Sequence, residues 1–179
     1  MKKTVLACLA CLPLLGADKA GPTTVPCRVT GLFRKDRVDD LRAAVAKVPH
    51  VRLASVDYES TNATFTFDPA KAFPGARPGD FLRLLDERVR HASGHTLGVK
   101  GPGKVPFEKL KRVTIPVAGC RCKACELAAY EAAARVDGVE AATVSFTEGR
   151  LDALIDPAKA TPAKVEAALK RIGVEVKAR

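Results

Sequence analysis

Residues 139–160 read VEAATVSFTEGRLDALIDPAKA, and the periodicity of that stretch decides the fold. Ala142, Val144 and Phe146 fall on every second position, as do Leu151, Ala153 and Ile155, with Glu148-Gly149 between the two runs. Side chains of a strand alternate between faces, so this is the signature of two half-buried strands around a turn. Working outward, Val113 to Val117 reads as a preceding strand and the Ala-rich run from Lys123 to Val136 as a helix. Beyond the hairpin, Thr161 is an N-cap with Pro162 at the first helical position. Val165, Ala168, Leu169 and Ile172 then recur at helical spacing until Gly173, and Val174 to Lys177 supplies a last short strand. The order β-α-β-β-α-β defines a ferredoxin-like α+β module.

The same stretch also shows that the module occurs twice. Slid by 88 positions without a gap, Asp156-Pro157-Ala158-Lys159-Ala160 falls on Asp68-Pro69-Ala70-Lys71-Ala72. Gly119 falls on Gly31, Val136 on Val48, Val139 on Val51 and Val144 on Val56. Repetition of this kind has to be settled before a fold is assigned. It predicts a first module over residues 22–100, a linker over 101–112 and a second module over 113–179. Gly101-Pro102-Gly103 opens the linker with residues that break helices and strands. Val38, Leu41, Val45 and Val48 form one apolar helix stripe of the first copy, and Phe81, Leu84, Leu85 and Val89 the other. Insertions stand near Phe73 to Ala76 and before Gly94.

Ahead of both modules, Lys2 and Lys3 precede an apolar run from Thr4 to Gly16, with small residues after it. The run is too short for the roughly 20 residues of a membrane-spanning helix, so residues 1–20 read as a secretory signal peptide cut after Ala17. The expected mature protein is exported, to the periplasm, without a transmembrane segment. The chain carries 30 Lys and Arg against 20 Asp and Glu, and removal of Lys2 and Lys3 with the leader leaves a net charge of +8. These charges are interspersed and only 5% of residues are aromatic. A diffuse excess with little to stack on bases excludes a nucleic-acid site and leaves no deep aromatic-lined pocket.

Six cysteines remain to be placed. Cys8 and Cys11 leave with the leader, and Cys27 lies in the first strand of the first module as a buried structural residue, with a disulfide to Cys120 or a role as fourth ligand as the alternatives. The last three stand together in Gly119-Cys120-Arg121-Cys122-Lys123-Ala124-Cys125, between the first strand and first helix of the second module. A Cys-x-x-Cys pair at a helix start faces unpaired backbone N–H groups and the positive end of the helix dipole, which favour thiolate. Two thiolates on a short loop suit Cu(I), Zn(II), Cd(II) or Hg(II) and suit Mg or Ca poorly.

Residues 113–177 resemble the heavy-metal-associated domain of copper chaperones, metal-transporting ATPases and periplasmic mercury-binding proteins. The resemblance lies in Gly119-x-x-Cys122-x-x-Cys125, the Asp137-Gly138-Val139 turn, Asp156-Pro157 and Ile172-Gly173. It implies that Cys122 and Cys125 hold the metal. Cys120 stands where the family usually has Met, and either joins as a third ligand or fills that residue's core niche. Ala129 and Ala133 replace the bulkier aliphatics usual in the helix, implying a thinner core under the site. Glu126 is a first-turn acid. The first copy carries Arg34 and Arg37 at the two cysteine positions, and a permanently charged guanidinium cannot replace a thiolate. The sequence therefore predicts one metal site and no enzyme. The chain would sequester the ion or pass it to a membrane metal transporter or another metal-binding domain. Thiol-disulfide exchange by the same Cys-x-x-Cys, and an interaction or regulatory role for the first module, stand as alternatives. His91 and His95, four apart but interrupted by Ser93-Gly94, are set aside as ligands, and His50 is read as a loop residue.

Overall fold

The computed structural model describes residues 21–103, 105–119 and 122–177. The expected signal peptide, with Cys8 and Cys11, lies outside the described residues, and so does Cys120. In the first module the elements are β1 (Thr23–Thr30), α1 (Arg37–Ala46), β2 (Val51–Asp57), β3 (Asn62–Phe67), α2 (Pro69–Ala72), α3 (Phe81–Ala92) and β4 (Gly98–Lys100). In the second they are β5 (Lys111–Ala118), α4 (Lys123–Ala134), β6 (Val139–Ser145), β7 (Arg150–Ile155), α5 (Pro162–Arg171) and β8 (Glu175–Val176).

Each module forms its own four-stranded antiparallel sheet, in the orders β2-β3-β1-β4 and β6-β7-β5-β8. Two ferredoxin-like modules in tandem are thus the observed architecture. The alternation that opened the sequence reading is what the second sheet buries: Ala142, Val144, Phe146, Leu151, Ala153 and Ile155 face its core with Ile115, Val165 and Leu169. Thr161 caps α5 by accepting from the Lys164 N–H at 3.4 Å.

The repeated Asp-Pro-Ala-Lys-Ala makes the same turn twice. Asp68 accepts from the Ala70 N–H at 3.1 Å and Asp156 from the Ala158 N–H at 3.0 Å, and each backbone carbonyl also takes the N–H four residues on at 2.8 Å. In the second module this turn packs against Gly138, whose φ is +88°. A Cβ there would stand 2.6 Å from the Lys159 Cβ and 2.9 Å from the Ala160 nitrogen, a space only glycine leaves open. The counterpart in the first module is His50, which keeps the left-handed conformation at φ 61° just before β2.

The structure sharpens three boundaries. β5 starts at Lys111, inside the stretch read as linker, which itself contains a short 3-10 turn over Phe107–Lys109. α4 stops at Ala134, because the chain must turn through Asp137-Gly138 into β6. The insertion near Phe73 is a structural element: the Phe73 ring packs edge-on against Phe67 at 5.0 Å and stacks on Phe81 at 6.0 Å, enlarging the first core.

Candidate metal centre

The loop after β5 delivers Cys122 to the N-cap position of α4 and Cys125 to its first turn. Cys122 has extended backbone angles, φ −111° and ψ 145°, and its sulfur accepts from the Cys125 N–H at 3.1 Å. A cap oxygen would normally take that bond, so a sulfur acceptor is placed where the helix supplies an orphan donor. The Cα atoms of Cys122 and Cys125 lie 5.3 Å apart and the two sulfurs are joined as a disulfide. The structure therefore holds the pair in its oxidised form, and two electrons and two protons convert it to the dithiol that a metal would meet. Cys125 packs on the second core with Tyr130 and Val136. Where the loop leaves β5, a Cβ on Gly119 would stand 3.1 Å from the Phe146 ring, so the small residue lets the chain pass close over that ring.

Among the described residues no group of three or more His, Cys, Asp or Glu side chains is assembled for a metal. His91 lies in the last turn of α3, and His95 follows the helix in the left-handed region, so they do not share a helix face. Cys27 is 2% exposed in the first core and donates its S–H to the Ala63 carbonyl at 3.5 Å, far from a ligand's requirements. Burial pushes its thiol up to about 12, which keeps it protonated.

Sequence reasoning missed how the first module meets this site. Phe33, in the loop that matches the thiol loop, is buried at 6% exposure in the second module's core, with its ring 5.7 Å from that of Tyr130. Its carbonyl accepts from the Val144 N–H at 2.9 Å. Arg34 pairs with Glu126 of α4, and Asp36 pairs with Lys123 at 3.4 Å. Glu126 is 3% exposed and its second oxygen takes the Phe146 N–H at 3.1 Å, so the first-turn acid is committed to holding β6 and Arg34. Burial works against charge on Arg34, but its hydrogen bonds to Asp36 and Glu126 outweigh that and raise its pKa. Burial likewise opposes charge on Asp36, and the bonds from Arg34 and Lys123 overcome it and hold the carboxyl below its ordinary range. The one advance signal was the pairing of an unusually small-faced helix with two arginines at the lost cysteine positions.

Fold and site together define a tandem of small modules with one Cys-x-x-Cys pair at a helix start. No family model matches the chain. The chain is similar to human copper-transporting ATPase 2, at 23% identity over 90% of this chain and 12% of that protein, and to the mouse protein of the same name at 22%. It thus spans about an eighth of the length of these curated relatives. Among solved structures, oxidized MerP from Ralstonia metallidurans CH34 is 30% identical over 38% of this chain and 99% of that one, with a TM-score of 0.35. The water soluble region of the P-type ATPase CopA from Bacillus subtilis is 16% identical over 88% of this chain and 91% of that one, with a TM-score of 0.36. These similarities support kinship with heavy-metal-associated domains; the chain carries the cysteine pair in its second copy and arginines at the matching positions of its first.

Proposed function

We propose that the chain binds one soft heavy-metal ion, Cu(I) or Hg(II) ahead of Zn(II) and Cd(II), through the thiolates of Cys122 and Cys125, and hands it to a partner. The observation that carries this is the convergence of the two sulfurs at the start of α4, on a loop at the module's edge. Copper-transporting ATPase 2 and MerP among the relatives support the choice of ion class. Transfer proceeds by ligand exchange: a partner thiolate enters the metal's coordination sphere, and one of Cys122 or Cys125 then leaves. A membrane metal transporter or another metal-binding domain fits as partner, since either can present two thiolates at an exposed loop. Export with cleavage after Ala17 agrees with this role, and among the described residues no helix is long and apolar enough to cross a membrane.

The test uses the reduced chain challenged separately with Cu(I), Zn(II), Cd(II) and Hg(II), with metal per chain measured beside the Cys122→Ser/Cys125→Ser double variant. One Cu(I) or Hg(II) per chain, lost in the double variant, is the expected result, and stoichiometric binding retained by that variant refutes the assignment. A three-sulfur spectroscopic signature that disappears in Cys120→Ser would make Cys120 a third ligand. The disulfide itself favours a second reading, thiol-disulfide exchange, which turnover of a disulfide substrate by the metal-free chain would establish. The βαββαβ order, with the motif directly after the first strand of its module, weighs against it.

A further inference from the structure

We propose that loop 31–37 of the first module is a positioning clamp for the second module's thiol site. The proposal goes beyond metal binding by Cys122 and Cys125 and rests on that reading for one of its two readouts only.

The loop has traded two potential ligands for two arginines, and the structure gives each a separate task. Arg37, at the place of Cys125, turns back into its own module. Its guanidinium donates to the Gly31 carbonyl at 3.2 Å, the Thr96 carbonyl at 3.1 Å and Asp40 at 2.8 Å, and lies 5.6 Å over the Phe33 ring. A tethered cation thus stiffens the loop from within. Gly31 permits the turn, with φ +86° and only 2.3 Å between an added Cβ and the Thr96 oxygen. Arg34, at the place of Cys122, turns outward to Glu126.

What the stiffened loop grips is one face of α4. Asp36 meets Lys123, Arg34 meets Glu126, and the Gly31 N–H donates to the Tyr130 hydroxyl at 2.9 Å. Positions 123, 126 and 130 are spaced i, i+3 and i+7, so the three contacts line a single stripe of the helix. Cys122 and Cys125 flank that stripe at its first turn. Phe33 closes the grip from beside the helix: its carbonyl satisfies the Val144 N–H of β6, an edge strand of its sheet.

The helix needs such a grip. Its buried inner face offers Ala129 and Ala133, both 0% exposed, where larger side chains would key it to its own sheet. Methyl groups make few contacts and allow rolling and sliding that branched side chains would block. The direction of the first turn decides whether the two sulfurs converge, so the first module sets the geometry of a site to which it gives no ligand.

The experiment compares full-length Arg34→Ala, Arg34→Lys, Phe33→Ala and Phe33→Leu with the unaltered chain under reducing conditions. One readout is Cu(I) affinity by competition with bicinchoninate, and the other is hydrogen exchange of the amides at 125–127. Arg34→Ala is expected to weaken Cu(I) binding about 10-fold and to speed exchange at 125–127 by a similar factor, as for coupling between neighbouring sites. Arg34→Lys should restore most of both, because it returns the charge to Glu126. Phe33→Leu, which keeps an apolar side chain in the second core, should bind within about threefold of the unaltered chain, on the tolerance of cores to such swaps. Affinity and exchange unchanged in Arg34→Ala, or lost equally in Arg34→Lys, overturn the clamp. Should the unaltered reduced chain take up no Cu(I), the metal-binding reading falls on that ground, and unchanged exchange in Arg34→Ala overturns the clamp separately.

Discussion

At the scale of residues, the cysteines of this chain differ by environment rather than by chemistry. Cys122 accepts a backbone N–H at the start of α4, whereas Cys27 lies in β1 on the first core, with the Ala63 and Val25 carbonyls to meet its S–H. Burial raises the Cys27 thiol from 9.0 to about 12. At pH 8 it should therefore carry about 1,000-fold less thiolate than an exposed cysteine, and thiolate is the reactive form. Timed iodoacetamide treatment of the reduced, folded chain followed by mass spectrometry should label Cys122 and Cys125 and spare Cys27. In denaturant Cys27 should become labelled like the rest. Labelling of Cys27 in the folded chain at the rate of Cys122 would contradict its placement in the core. Cys27 was legible in the sequence, since it matches Ile115 of the second copy, which is itself wholly buried. Glu126 was legible only by type. Sequence spacing marks it as a first-turn acid, but nothing local to α4 reveals that Arg34, 92 positions away, is its partner.

At the scale of elements, the two copies solve the same turn with different residues, and a pair of substitutions separates conformation from contact. Gly138 and His50 occupy matching positions before β6 and β2, both with positive φ. Gly138→Ala adds a left-handed penalty and drives a methyl group into Lys159 and Ala160, so stability should fall by about 2 kcal/mol or more. His50→Gly relieves the same backbone strain and removes a side chain from an exposed loop, so stability should stay level or rise by up to about 1 kcal/mol. Urea melts of the two variants test the sign of each, and a loss in His50→Gly as large as that in Gly138→Ala would mean that the histidine side chain, not the backbone, sets the turn. Most strands and helices were readable from their period, although β2 and β6 each carry a register shift, between Leu53 and Ser55 and between Val139 and Ala141, and the short α2 was not read. The small face of α4 was readable as well, as Ala129 and Ala133. Its complement was not: Phe33 belongs by sequence to the first module and by packing to the second, and a pattern read along one chain segment carries no sign of which core a residue enters.

At the scale of the whole molecule, charge and aromatic side chains converge on the contact between modules. Arg28, buried in the first module, pairs with Glu140 of β6, and Arg112 reaches Glu59 at 3.3 Å. The chain has two tyrosines and no tryptophan, and both tyrosines lie at this contact. Tyr58 donates to the Phe33 carbonyl at 3.4 Å and Tyr130 accepts from Gly31. Burial raises the pKa of each: for Tyr58 the Thr143 hydrogen bond offsets part of the shift, and for Tyr130 the bond from the Gly31 N–H does so. A phenol whose pKa is higher in the docked state stabilises docking fully below the ordinary tyrosine value near 10, and that contribution is lost as pH rises through the docked value. Asp36 acts with the opposite sign, because its carboxyl is held low by Arg34 and Lys123. Its contribution is present above the ordinary aspartate value near 4 and is lost as pH falls through the docked one. Absorbance at 295 nm should therefore show less tyrosinate in the native chain at pH 10 than the half ionisation of a free tyrosine. In Phe33→Ala, which opens the contact around both rings, the titration should move back toward that ordinary value. Two tyrosines that titrate in the unaltered chain as free tyrosines do, half ionised at pH 10, would mean that the modules separate in solution, and with them the contact that joins Arg34 to the first turn of α4.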